Sequence, residues 1–162
     1  MQFRHSSLSY PAAMTFSLDT LEPFLGVWRG GGDIAPNPWG GAGACRGSWS
    51  FRFDAGRKAL IHDYEEQRAD GSSFAGHGIW CGHEDDLLWF WFDSYGFPPL
   101  EPARGGWRDG GLELMKSTPR GQGRSTWTCD GRRLTYLVEA KPRGEAAFAR
   151  VMSGTFDRVS GF

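Results

Sequence analysis

The 162-residue sequence predicts an all-β fold: an antiparallel up-and-down barrel of about ten strands, closed on itself, with a short helical turn near its start. Three observations carry this. Short apolar and aromatic runs of strand length recur, the clearest being Leu87 to Asp93, LLWFWFD. Tight-turn dipeptides separate them, among them Ala55-Gly56, Asp70-Gly71, Asp109-Gly110 and Asp130-Gly131. Glycine is abundant, at 24 residues, while long helical periodicity is missing. Evenly chained hairpins favour closure over a sandwich, and the helices of a TIM barrel are lacking.

Taken in order, residues 1–16 lack periodicity and read as a mobile leader before a single barrel domain over 17–162. Ser17 is placed to cap a turn from Leu18 to Glu22, which Pro23 cannot continue for want of an amide. The first strand, Phe24 to Gly32 (FLGVWRGGG), carries Trp28. Asp33 to Gly43, rich in Pro and Gly and bearing Trp39, is either a lid over a barrel mouth or a plain long loop.

Alternation then assigns faces. In Cys45 to Phe53 the residues Trp49, Phe51 and Phe53 point inward. A two-residue turn at Ala55-Gly56 sets Phe51 opposite Leu60 and Trp49 opposite His62, and sends Leu60, His62, Tyr64 and Glu66 inside. A two-residue turn at Asp70-Gly71 sets Tyr64 opposite His77, so that His62, Tyr64 and His77 converge on the inner wall. For Leu87 to Asp93 the loop length leaves parity open; Trp89, Trp91 and Asp93 are preferred inside, leaving an oily outer face for a loop, a helix or a second subunit to cover. The turn at Asp109-Gly110 places Trp107 opposite Leu112, with Leu114 and Lys116 inward. That at Asp130-Gly131 places Trp127 opposite Leu134, with Tyr136 and Val138 inward. In the last strand Arg150 shares a face with Phe148, Met152, Gly154 and Phe156. An arginine there needs a carboxylate, a carbonyl cluster or an anionic ligand, unless a bulge turns it outward. Arg158 is expected across Trp28, closing the barrel base.

Composition narrows the function classes. The net charge of -1, with 15 scattered arginines among 18 basic residues, argues against nucleic acid as a partner. No apolar run approaches a membrane span. Cys45, Cys81 and Cys129 are odd in number and lack metal-ligand spacing, which fits reduced thiols in a cytoplasmic protein with no metal site.

Several stretches carry a resemblance: FLGVWRGGG, HDYEEQRADGSSFAGHGIW, WFDSYGFPP, ARGGW, TPRGQGR and MSGTFDR, together spanning most of Phe24 to Arg158. They resemble a bacterial domain-of-unknown-function family of lipocalin-like (calycin) barrels, related to nitrobindin and the fatty-acid-binding proteins. The resemblance implies a ten-stranded barrel with an internal cavity and no agreed activity. Nitrobindin-like relatives carry haem on a histidine from a late strand; the only histidines here are His5, His62, His77 and His83, so haem of that type is not favoured. Fatty-acid-binding barrels hold a carboxylate with an inward arginine and a tyrosine, a pairing that Arg150 with Tyr64 or Tyr136 would imitate.

Three functional readings follow. In the first, the barrel binds a small, partly apolar molecule with an anionic or hydrogen-bonding head, with His62, Tyr64, His77, Trp49, Trp89, Trp91, Asp93, Lys116, Tyr136 and Arg150 as its lining. In the second, an enzyme of hydrolase or isomerase type uses His77 or His62 with Asp93, although no nucleophile elbow, zinc helix or phosphate loop is present. In the third, the barrel is structural or partner-binding, with a filled core; self-association through the oily strand goes with the first.

Overall fold

The computed structural model describes residues 16–37 and 41–159. Residues 1–15 of the expected leader and Trp39 of the candidate lid lie outside the described residues, while Phe16, the leader's last residue, donates its amide to the Glu84 carbonyl at 2.6 Å. Ten strands follow a 3-10 helix, Leu18–Phe24. They are β1 (Gly26–Ile34), β2 (Gly43–Asp54), β3 (Ala59–Arg68), β4 (Ser73–His83) and β5 (Asp86–Asp93), then β6 (Ala103–Arg108), β7 (Gly111–Thr118), β8 (Gly121–Cys129), β9 (Arg133–Pro142) and β10 (Ala149–Arg158). Each pairs antiparallel with its chain neighbours, and β1 pairs with β10, so the predicted closed up-and-down barrel is what forms. No helix among the described residues is long and apolar enough to cross a membrane.

The helix plugs one end. Leu21 and Phe24 are wholly buried beneath Trp28, whose Nε1 donates to the Phe24 carbonyl at 2.7 Å. Arg158 is paired with Trp28 across β1 and β10, and its guanidinium lies 4.5 Å from the Trp28 ring centroid. It donates to three carbonyls, of Pro23, Leu25 and Gly131, tying the helix to the barrel floor. Ser17 caps through its backbone and not its side chain: its carbonyl accepts from the Thr20 amide and hydroxyl.

Three registers differ from expectation, for reasons that lie in the turns. Between β2 and β3 four residues, not two, make the connection, so Phe51 pairs with His62 and Trp49 with Tyr64. That slip of two keeps every face. Between β3 and β4 a three-residue loop carries Gly71 at φ 85 and closes with the Arg68 amide on the Ser72 carbonyl. This slip of one pairs Asp63 with His77 and sets Gly76 and Gly78 on the inner face, so His77 is carried outside. The β8–β9 turn is likewise longer and sets Trp127 against Tyr136, while Trp107 faces Leu112 as expected. In β10 a bulge between Arg150 and Met152 breaks the alternation and turns Arg150 outward.

The lower half of the interior is solid. Trp28, Trp49, Trp80 and Trp127 are almost completely buried, and the last three interlock with Phe24, Phe51, Phe156 and His62. The wall has one weak seam: β5 and β6 share only the pairs Leu87–Gly105, Leu88–Arg104 and Trp89–Ala103. Pro98, Pro99 and Pro102 precede Ala103 and have no amide to extend the ladder, so the upper ends of β5 and β7 lack a strand between them.

Candidate functional site

The end of the barrel opposite the helix holds a cavity of about 180 Å³. Its aromatic walls are Trp49 from β2, Tyr64 from β3, Phe74 from β4, Trp91 from β5, Tyr136 from β9 and, from the loop after β5, Tyr95. Ile34, Val138, Val151 and Met152 complete the apolar side. Trp49 and Tyr64 stack at 4.2 Å between centroids, as their direct pairing across β2 and β3 dictates. The Trp91 indole fits over Gly76, where a Cβ would overlap the ring, and its Nε1 donates to Asp93 at 3.1 Å.

Beside Asn37, from the segment after β1, the polar part of the wall is a chain on one strand. Tyr64, Glu66 and Arg68 alternate inward along β3; the Tyr64 hydroxyl donates to one Glu66 oxygen at 2.6 Å and Arg68 Nε donates to the other at 2.7 Å. Glu66 is 2% exposed, so this pair replaces water for a carboxylate the barrel has enclosed. Burial, reinforced by the neighbouring carboxylate, pushes the Tyr64 hydroxyl far above its ordinary range. The same two causes raise the Cys45 thiol to about 11, so it is no nucleophile at neutral pH. Tyr136 is also held protonated by burial, with Ser125 as its hydrogen-bond partner.

His62 lies deeper, wholly buried between Phe51 and Trp91, with centroid distances of 5.3 Å and 5.6 Å. Neither ring nitrogen has a hydrogen-bond partner. Burial, with a smaller contribution from His77, holds its pKa down at about 3, so the ring is neutral.

The structure therefore divides the predicted lining. Trp49, Tyr64, Trp91 and Tyr136 face the cavity; His62 and Trp89 belong to the packed layer around it. Asp93 and Lys116 stand beside a second chamber behind Trp91. Two expectations are corrected. His77 is on the outer wall, its Nδ1 2.6 Å from Asp63, because of the one-residue slip. Arg150 is also outside, donating to Asp33 at 2.9 Å and Ser153 at 3.0 Å, because of the bulge. His62 and His77 thus lie on opposite faces and form neither a catalytic pair nor a metal site with Asp93 or Glu66. Among the described residues no group of three or more His, Cys, Asp or Glu is placed to hold a metal ion. No histidine lines the cavity, so its residues do not fit a histidine-ligated haem. The predicted lining omits Glu66 and Arg68; inward parity in β3 gave the signal for Glu66, whereas Arg68 sits at the strand end, where alternation carries little weight.

Fold and site together define a closed ten-stranded antiparallel barrel with one end plugged and a small cavity at the other. No protein-family model matches the chain, and no curated protein matches it. Among solved structures it is similar to Rv2717c from M. tuberculosis, at 17% identity and a TM-score of 0.68, covering 88% of this chain and 97% of that one; this likeness shows the fold. It is also similar to EF1p2_mFAP2b bound to DFHBI, at 13% identity and a TM-score of 0.49, covering 88% of this chain and 98% of that one.

Proposed function

We propose that the barrel binds one small, partly apolar molecule, on the scale of a single six-membered ring with a polar substituent, in its mouth cavity. The observation that carries this reading is the void of about 180 Å³ between Trp49, Tyr64 and Trp91, with the buried Glu66 on its wall. A cavity of about 150 Å³ accommodates benzene, whereas drug-sized ligands occupy about 300 Å³ or more. A ring-sized guest fits, and a long acyl chain does not. The Glu66 oxygens on the wall retain lone pairs, so a hydroxyl or amide substituent suits it better than an anion. The resemblance to lipocalin-like barrels supports an interior site, and three unpaired thiols support a cytoplasmic setting.

Calorimetric titration with phenol, benzyl alcohol and decanoate tests this. Saturable binding of the ring compounds is expected, weakened at least tenfold in Val138→Phe, which fills the cavity. Decanoate binding without ring-compound binding refutes the reading. Binding of none of them favours the filled-core barrel, which the solid lower half already supports.

A further inference from the structure

Behind Trp91 the missing strand between the upper ends of β5 and β7 leaves a second chamber of about 520 Å³, within the drug-sized range. The Trp91 indole is the shared partition: it lines both this chamber and the mouth cavity. Phe97, Leu100 and Pro119 supply the rest of the apolar wall. Four charged residues line it, Asp93, Glu101, Lys116 and Arg120, and they are unequal in availability: Glu101 is exposed to solvent. Both Asp93 oxygens are engaged, one by Trp91 Nε1 and the other by the Tyr95 amide. Arg120 lies over the Phe97 ring, 5.0 Å from its centroid. Lys116 continues the inward face of Leu112 and Leu114, is half-buried, and among the described residues makes no hydrogen bond or ion pair. With its stem against the apolar wall and its ammonium unpaired, Lys116 offers three donors to an anion in the chamber.

The backbone adds donors. The Ser94 amide bonds to the Ala75 carbonyl on β4, so by antiparallel alternation the amides of Trp91 and Asp93 point the other way, across the seam. The ladder to β6 has ended at Trp89, so they find no strand there.

We propose that this chamber is a binding site for an aromatic anion, an aryl carboxylate or sulfonate, whose rings lie against Trp91 and Phe97 and whose acid group pairs with Lys116. The site is distinct from the mouth cavity: it is larger and, apart from the shared Trp91, it is lined by residues the cavity does not use.

The probe is 1-anilinonaphthalene-8-sulfonate, followed by dye emission and by tryptophan quenching on the full chain, with the uncharged N-phenyl-1-naphthylamine as its comparison. One saturable site is expected for the sulfonate, weakened at least tenfold in Lys116→Met and retained within threefold in Lys116→Arg. The neutral dye should bind the parent protein and Lys116→Met equally, which separates loss of charge from loss of fold. Val138→Phe, which fills the mouth cavity, should leave sulfonate binding unchanged. Absent or non-saturable binding overturns the proposal, as does sulfonate affinity indifferent to Lys116→Met. Loss of sulfonate binding in Val138→Phe would place the dye in the mouth cavity and overturn it too, whereas failure of phenol binding alone would leave it standing.

Discussion

At the scale of single residues, His62 is the most consequential side chain that binds nothing polar. An imidazole whose nitrogens lack partners amid tryptophans stays neutral because charging it there costs desolvation that no neighbour offsets. The sign of its effect on stability follows. In the unfolded chain the ring takes a proton near its ordinary value of 6.5, while in the barrel it resists protonation down to about 3. As pH falls through that window the unfolded state alone gains protons, so this group removes roughly 1.4 kcal/mol of stability per pH unit. Urea unfolding should therefore show about 2 kcal/mol less stability at pH 5 than at pH 7 from this source, and His62→Leu should lack that share of the slope. An equal slope in both proteins would place the acid sensitivity elsewhere. The inward position of His62, like that of Trp49, Tyr64 and Glu66, was legible in the sequence because parity within one strand is local. The faces of His77 and Arg150 were not: the first depended on one extra turn residue and the second on a bulge, and neither leaves a mark in hydrophobic alternation.

At the scale of elements, glycine on β4 is what lets an aromatic layer fill the barrel. Gly78 sits beneath His62 and Trp89, and a Cβ there would overlap the His62 ring, which Phe51, Trp80 and Trp91 also contact. Gly78→Ala should cost roughly 1–3 kcal/mol through overpacking. Gly123→Ala in β8, where a Cβ meets nothing within 4 Å, should be neutral or slightly stabilising. Thermal midpoints of the two variants make the comparison, and equal losses would show that the layer has room to give. The helix plug depends on Arg158 in a similar way. Three carbonyls and an indole face match a planar guanidinium and not a lysine ammonium, so Arg158→Lys should lose roughly 2–4 kcal/mol despite keeping the charge. The pairing of Trp28 with Arg158 was foreseeable because it joins the two ends of a counted barrel. The β2–β3 and β8–β9 registers were not, since Ala-Gly and Asp-Gly mark a turn without fixing its length.

At the scale of the whole molecule, the barrel is closed but unevenly stitched. The hairpin from β2 to β3 runs through ten paired residues, whereas β5 and β6 share three, because a proline-rich connection stands where β6 would have begun. Strand count was legible from the spacing of turns, and the prolines in Gly96 to Pro102 were legible too; that they would leave a chamber required knowing that β5 and β7 both outrun β6. Local opening should start at this seam, since the lowest-stability segments carry the fewest shared hydrogen bonds. The alternation along β5 makes the expectation specific to single amides. Phe90 and Phe92 donate toward β4 within a continuous ladder, while Trp91 and Asp93 donate toward the gap. Native-state hydrogen exchange should find the second pair exchanging roughly two orders of magnitude faster than the first, although all four lie in one strand. An aromatic anion seated on Lys116 should slow Trp91 and Asp93 selectively. Uniform protection along Phe90 to Asp93 would mean that the upper seam is bridged in solution, and the chamber with it.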